Sequence, residues 1–382
     1  MEFRKLGRTS LEVSTIGFGG EYLNNKSKDY VANMIDKAIE NKINIIDIFM
    51  PQPETRENIG LAMEGKRDKF VIQGHICTHM VNNQYERTRD FEKSKKSFEN
   101  LFKALKTDYI DIGMIHYVDD EKDFDTVFNG PIIKYLIDLK KEGKIGFIGM
   151  SSHNTKISQM AVNTGLVDVL MFSINPAYDL EDNELDIYDL MEFKGLEHDS
   201  WQIDPERKKL YLSCEEKGVG ITVMKTLGAG RLLDGEDSPF KKELTPIQCI
   251  HYSLTRAGVC SVLLGFGDPT HIDEDIKYYS ATDEEKDYAK TISKCSKIDI
   301  KGKCMYCNHC LPCPMGIDVA MVTKYLDIAS FSEEIPETIK NHYNSLKAKG
   351  GDCISCGSCE KNCPFSVNII DNMKKAKEVF GK

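Results

Sequence analysis

The sequence predicts an α/β chain, a (β/α)8 barrel followed by a small, mainly α-helical domain. Three observations carry that prediction. Eight short, nearly continuous apolar runs alternate with longer amphipathic segments over about 280 residues. The alternation stops near residue 295. Eight of the 13 cysteines then fall between Cys304 and Cys363.

The apolar runs are Thr15–Phe18, Ile43–Ile48, Phe70–Gln73, Ile110–Ile115, Ile145–Met150, Val169–Ser173, Gly220–Met224 and Val259–Leu264. Their β-branched content and lack of polar alternation are the pattern of strands buried on both faces. Helical segments such as Lys28–Glu40, Arg87–Lys106, Phe124–Glu142 and Pro205–Lys217 lie between them. Gly143 and Gly218 supply the helix stops before two of the strands. Glu2–Leu6 and Leu11–Ser14, around Gly7-Arg8-Thr9, read as a hairpin closing the barrel bottom. A doubly wound sheet is the alternative, but no G-x-G-x-x-G follows an early strand; Gly17-Phe18-Gly19-Gly20 is a different turn. The acidic stretch from Asp179 to Asp204 carries the single tryptophan, Trp201, and reads either as a functional loop or as a surface excursion. The expected domains are residues 1–290 and 291–382.

Composition narrows the function. The 382 residues are 41% hydrophobic and 29% charged, an ordinary globular balance with enough apolar content for a large core. With 50 basic and 60 acidic residues the net charge is −10, which argues against nucleic acid or an anionic membrane as the partner. No apolar run approaches the roughly 20 residues of a membrane helix. The opening Met1-Glu2-Phe3-Arg4-Lys5-Leu6-Gly7 lacks a signal-peptide core, so a cytoplasmic location is expected. In that compartment clustered cysteines point to metal ligation rather than disulfides. The scattered Cys77, Cys214, Cys249, Cys260 and Cys295 read as small buried hydrophobes.

The clustered cysteines form two runs. One is Cys304-x2-Cys307-x2-Cys310-x2-Cys313-Pro314; the other is Cys353-x2-Cys356-x2-Cys359-x3-Cys363-Pro364. The second is the bacterial ferredoxin pattern for a [4Fe–4S] cluster, and the first is one residue shorter before its last cysteine. In two-cluster ferredoxins three close thiolates hold one cluster and the fourth comes from the other run. By that rule Cys304, Cys307, Cys310 and Cys363 hold one cluster, and Cys353, Cys356, Cys359 and Cys313 hold the other. The competing reading is a pair of zinc knuckles. About 40 residues separate the runs, with helical-looking Asp318–Ala329 and Ile335–Ala348, which makes a two-cluster ferredoxin-like domain longer than the minimal one.

The barrel sequence has a family resemblance. The opening from Phe3 to Gly20 resembles the start of aldo-keto reductases. So do Tyr109-Ile-Asp-Ile-Gly-Met-Ile-His116, Lys144-Ile-Gly-Phe-Ile-Gly-Met-Ser-Ser152 and Leu227-Gly-Ala-Gly230, each at a strand end. The resemblance covers residues 1 to about 285. With the cysteine runs attached, the whole chain resembles the iron–sulfur branch of that family, a type associated with anaerobes, and this implies a TIM barrel with a ferredoxin-like domain.

The resemblance implies a tetrad of Asp, Tyr, Lys and His at the ends of strands two to four. Asp47 and His116 match. Gln52 stands where the Tyr belongs, in an alignment anchored by Gly60, and His75 stands where the Lys belongs. The family's acid and the residue that tunes it are therefore both replaced. An adjacent carboxylate raises an imidazole from its usual pKa of about 6.5, so an Asp47–His75 pair can deliver a proton, with His116 as hydrogen-bond donor. Two alternatives stand beside it. Tyr85, after strand three, would replace the missing acid, or Asp47, His75 and His116 would hold a divalent metal, with His79 nearby. The plainer reading makes each histidine a hydrogen-bonded structural residue.

The implied nicotinamide site is altered too. Ser151 and Ser152, followed by His153-Asn154, replace a Ser-Asn pair; Asn175 replaces a Gln; Met224, followed by Lys225, replaces a stacking aromatic; and Gly228 lies in the matching glycine loop. In the late phosphate loop, Gly265 to Asp275, Asp268 stands where the family often places a base for the 2′-phosphate. A carboxylate there repels that phosphate, which favours NAD(H) over NADP(H). A flavin stays open, since barrels bind flavin phosphate without a fingerprint.

The expected function is an iron–sulfur oxidoreductase. A small carbonyl or hydroxy compound would react in the barrel, with electrons relayed through two [4Fe–4S] clusters to an external carrier such as ferredoxin. Clusters move single electrons and hydride moves two, so a flavin, a nicotinamide or a radical must convert between them. The alternatives are an electron-transfer partner with a catalytically altered barrel, and a metal-dependent barrel enzyme.

Overall fold

The computed structural model describes residues 1–82, 84–181, 187–196, 203–295, 301–331 and 334–381. Trp201 lies outside them. The chain opens with an antiparallel pair, β1 (Phe3–Lys5) and β2 (Glu12–Ser14). Three barrel strands follow, β3 (Ile16–Gly19), β4 (Ile45–Ile48) and β5 (Val71–Ile76). A second antiparallel pair, β6 (Thr78–Val81) and β7 (Gln84–Arg87), projects after β5. The barrel continues with β8 (Ile110–Ile115), β9 (Ile145–Ser152), β10 (Val169–Ser173), β11 (Gly220–Met224) and β12 (Val259–Gly265). All eight pairings are parallel, and β12 closes onto β3. All eight predicted strands are therefore present.

Each barrel strand alternates between two cores. Ile46 and Ile48 belong to the layer between sheet and helices, whereas Ile45, Val71, Ile112, Met114, Val169 and Met171 fill the barrel interior above a floor of Leu6 and Val13. Period-two alternation carries the inward face from Ile45 to Asp47, and from Val71 through Gln73 to His75. The interior is thus apolar below and polar at its top layer, where barrel enzymes keep their chemistry.

The helices Lys28–Glu40 and Pro205–Lys217 match expectation residue for residue. Ser27 and Asp204 cap their first turns, and Gly218 ends the second in the left-handed conformation. Two other helices differ. The expected Arg87–Lys106 begins only at Phe91, because Gln84–Arg87 is spent as strand β7 and Asp90 supplies the cap. The expected Phe124–Glu142 is two helices, Glu121–Phe128 and Pro131–Lys141. Asn129-Gly130 ends the first and Pro131 starts the second, since proline lacks the N–H a continuous helix needs. A Cβ on Gly60 would collide with the Ala104 carbonyl, so glycine is what lets helices Pro53–Ala62 and Phe91–Ala104 pack closely beneath the site.

The C-terminal segment contributes helices Val319–Phe331, Glu337–Ser345 and Ile369–Phe380. It is fastened to the barrel by polar contacts. Lys208 Nζ pairs with Asp327 at 2.7 Å, and Lys324 Nζ with Glu215 at 2.8 Å. Among the described residues no helix is long and apolar enough to cross a membrane.

Candidate active site

Four side chains meet at the top of the barrel in a single file. His75 Nε2 lies 2.8 Å from Asp47 Oδ1, and His75 Nδ1 lies 2.9 Å from His116 Nδ1. His116 Nε2 in turn meets the hydroxyl of Tyr85. Asp47, His75 and His116 are at most 8% exposed, while Tyr85, carried on β7, is 37% exposed. The file therefore runs from a buried carboxylate to a phenol at the mouth.

The neighbours fix this file. Gln73 Nε2 donates to Asp47 Oδ1 at 3.0 Å from the layer below. Phe49, directly after β4, stacks on the His116 ring at 5.4 Å and meets Tyr85 edge-on at 6.0 Å. Arg89 donates to the His116 carbonyl at 2.9 Å and is itself clamped by Asp123. Burial, then His75, Arg89, His153 and Arg87, pushes the His116 imidazole well below its usual pKa, so it stays neutral. Burial, then the neighbouring Tyr117, raises the Tyr85 phenol, so it stays protonated.

These facts order the protons. A carboxylate only accepts hydrogen bonds. With Asp47 ionised, His75 donates through Nε2 and accepts at Nδ1. His116 then donates through Nδ1 and accepts at Nε2, and Tyr85 donates to it. Every link points inward, and Tyr85 turns oxygen lone pairs to the mouth. The same geometry argues against Asp47, His75 and His116 as a metal triad, because Asp47 and His116 occupy opposite nitrogens of His75 instead of converging. Among the described residues no three His, Cys, Asp or Glu side chains converge on one ion position.

The remaining expected residues are placed as follows. Gln52 precedes helix Pro53–Ala62, and its Oε1 is buried without a partner among the described residues. His79 sits on β6, 3.4 Å from Glu86. Ser152 Oγ donates to Asp119 Oδ1 at 3.0 Å, and the same carboxylate holds His153 Nδ1 at 2.8 Å. Ser151 is buried on β9, its hydroxyl 3.5 Å from the Ile115 carbonyl. Asn175 accepts from the Ala177 and Tyr178 amides and donates to the Lys225 carbonyl at 2.9 Å. Its amide thus ties the loop after β10 to the loop after β11. Lys225 and Gly228 both adopt positive φ there. Asp268 caps helix Pro269–Asp275 through Thr270 and keeps its charge in solvent. Phe49, Gln73 and Arg89 were not singled out from the sequence. Gln73 carried a signal, since it stands two residues before His75 on the same strand face.

The eight clustered cysteines line two small cavities. Cys304, Cys307, Cys310 and Cys363 share one; Cys313, Cys353, Cys356 and Cys359 share the other. The Gly302 amide donates to the Phe365 carbonyl at 2.6 Å, drawing the end of the second run beside the start of the first. Cys310 is buried whereas Cys356 is exposed, so the first cavity is the inner one. Of the scattered cysteines Cys77, Cys214, Cys249 and Cys260 are buried, and Cys295 is partly exposed.

Comparison with known proteins agrees with this architecture. An aldo-keto reductase of Bacillus subtilis, YhdN, is 28% identical over 195 residues, 49% of this chain and 56% of that protein. The chain thus aligns with little more than half of that relative's length. L-galactose dehydrogenase of Arabidopsis thaliana is 25% identical over 307 residues, 72% of this chain and 87% of that protein. Among solved structures, aldo-keto reductase AKR11C1 of Bacillus halodurans superposes with a TM-score of 0.60 at 19% identity, covering 78% of this chain and 97% of that one. Residues 15–246, well over half the chain, match the Aldo/keto reductase family. With that match and its closed parallel barrel, the chain belongs to the aldo/keto reductase family, a family of oxidoreductases.

Proposed function

We propose that this chain is an iron–sulfur oxidoreductase that interconverts a small carbonyl and hydroxy compound at the barrel mouth. The observation that carries the reading is the Tyr85–His116–His75–Asp47 file, in which only the outer end meets solvent. Tyr85 stands in for the acid that Gln52 cannot supply. As a bound hydroxyl is oxidised, its proton passes to the Tyr85 oxygen. The phenol's own proton moves to His116 Nε2, the Nδ1 proton of His116 to His75 Nδ1, and the Nε2 proton of His75 to Asp47. Reduction runs the same transfers outward from a protonated Asp47. Burial keeps the three inner groups in line and excludes competing water from them.

The two cysteine cavities support the electron side of this reading. Four thiols line each cavity, the number a cubane takes when each of its four irons binds one thiolate. When bound, such clusters supply one-electron storage. A nicotinamide is the implied two-electron partner, with NAD(H) favoured by the exposed Asp268 carboxylate, and an external carrier such as ferredoxin is the alternative electron source.

The test is an anaerobic titration of the full chain with NADH, with NADPH and with dithionite, following the visible absorption of the clusters. Bleaching by NADH ahead of NADPH is the expected result. A preparation with zinc in place of iron and sulfide would overturn the iron–sulfur assignment. Clusters that dithionite bleaches and neither nicotinamide does would assign the electrons to a protein carrier.

A further inference from the structure

Arg256 is a barrel residue, on the turn entering β12, and it is only 6% exposed. Its Nη2 donates to the Met305 carbonyl at 2.5 Å, between Cys304 and Cys307. Its guanidinium lies over the Tyr252 ring at 4.3 Å and the Tyr306 ring at 5.4 Å. Tyr288 donates to the same Met305 carbonyl at 2.8 Å. Among the described residues no carboxylate pairs with Arg256, and its Nε has no hydrogen-bond partner. Nearby, Lys208 is matched by Asp327, and Asp287 lies 3.0 Å from His309 Nε2. Burying a cation without an adjacent counter-charge is costly. Two phenol rings offset part of that cost through their faces. Asp179, beyond Tyr252, also favours the charge, but it is shared with Arg207; an anion on the far side of Met305, where the inner cavity lies, would add to that compensation.

We infer that Arg256 sets the reduction potential of the inner cysteine site, supplying from the barrel the positive charge that a four-thiolate cluster needs. The inference rests on the iron–sulfur reading above. Charge and hydrogen bonding around a cluster are the levers that tune it. An added electron is stabilised by a fixed cation in a low-dielectric setting, so losing the cation makes the inner centre harder to reduce. Arg256 is a positioning residue as well, because its hydrogen bond fixes the loop that carries Cys304 and Cys307. The same chain reaches the barrel mouth. Tyr252 donates to Asp179 at 2.7 Å, Asp179 holds Arg207 at 3.0 Å, and Arg207 donates to the Ser173 carbonyl at the end of β10.

The experiment is an EPR-monitored redox titration of the reconstituted full chain, after iron and sulfide analysis. Arg256→Gln is expected to lower the inner centre's reduction equilibrium at least tenfold, about 59 mV for one electron, with the outer centre unmoved. Arg256→Lys, which keeps the charge and loses the planar fork, should recover most of that change. Tyr288→Phe keeps the charge and removes one donor, and should lower the inner centre alone by a smaller factor. It serves as the test if Arg256→Gln does not load. An inner potential unmoved by these changes, or both centres moving together, overturns the inference while leaving the iron–sulfur reading intact. A wild-type chain that holds no iron and sulfide overturns both.

Discussion

Tyr85→Phe separates a proton-transfer role from a packing role. The ring keeps its edge contact with Phe49, and the hydroxyl that meets His116 is lost. Steady-state kinetics on any carbonyl or hydroxy compound the wild type turns over should show kcat and kcat/KM falling together by about 10²-fold, as for loss of a general acid–base group. An unchanged kcat would return the role to His75. The pH profile is a second readout. Burial holds the His116 imidazole well below its usual pKa, so His116 still accepts from Tyr85 below pH 6.5. The acid limb of kcat is expected well below that value. Much of this file was legible in the sequence, because strand ends and period-two alternation place Asp47, His75 and His116 on one face. Tyr85 was legible only as an alternative. It arrives from a pair of strands outside the barrel, and no periodicity in the barrel strands points to it.

At the scale of elements, buried strands announce themselves because apolar runs have few other uses. The β6–β7 pair does not, because it is short, lies outside the barrel and runs almost directly into a true helix, so Arg87, the last residue of β7, passes for the start of that helix. Helices carry a prediction of their own through His251, on Pro246–Leu254. Burial, then Lys286 and Arg256, with Arg4 behind them, lower its pKa to about 4, against an opposing pull from Asp283; its Nδ1 lies 3.2 Å from the Tyr278 hydroxyl. Unfolded, it takes a proton near pH 6.5. Between about pH 6.5 and 4 the unfolded chain therefore binds more protons, and acid favours unfolding. The expected loss is about 3 kcal/mol across that window. Denaturant titrations at pH 7 and pH 4.5 should show a smaller pH penalty for His251→Gln than for wild type. Equal penalties would place the acid sensitivity elsewhere.

Across the whole molecule the decisive arrangement is the crossing of the two cysteine runs. A chain that used each run for its own site would group Cys363 with Cys353, Cys356 and Cys359. In the structure Cys363 lies instead with Cys304, Cys307 and Cys310, and Cys313 crosses the other way. The cavity linings follow the same grouping that the two-cluster ferredoxin rule assigns from the spacing, three close cysteines with a fourth from the other run. What spacing alone does not reveal is which site faces the barrel. That follows from the docking of Val319–Phe331 on Pro205–Lys217 and from the reach of Arg256 to Met305. The two groupings differ in outcome. On the iron–sulfur proposal, crossed ligands predict that Cys363→Ser cuts the iron content from about eight to about four per chain and removes the inner centre. The surviving centre would be the one beside exposed Cys356 and Ile354, and a water-soluble chelator should bleach it quickly. Cys313→Ser should leave the same amount of iron in the buried centre, which the chelator should bleach slowly. Uncrossed ligands reverse the two bleaching rates, so one pair of variants decides between the groupings.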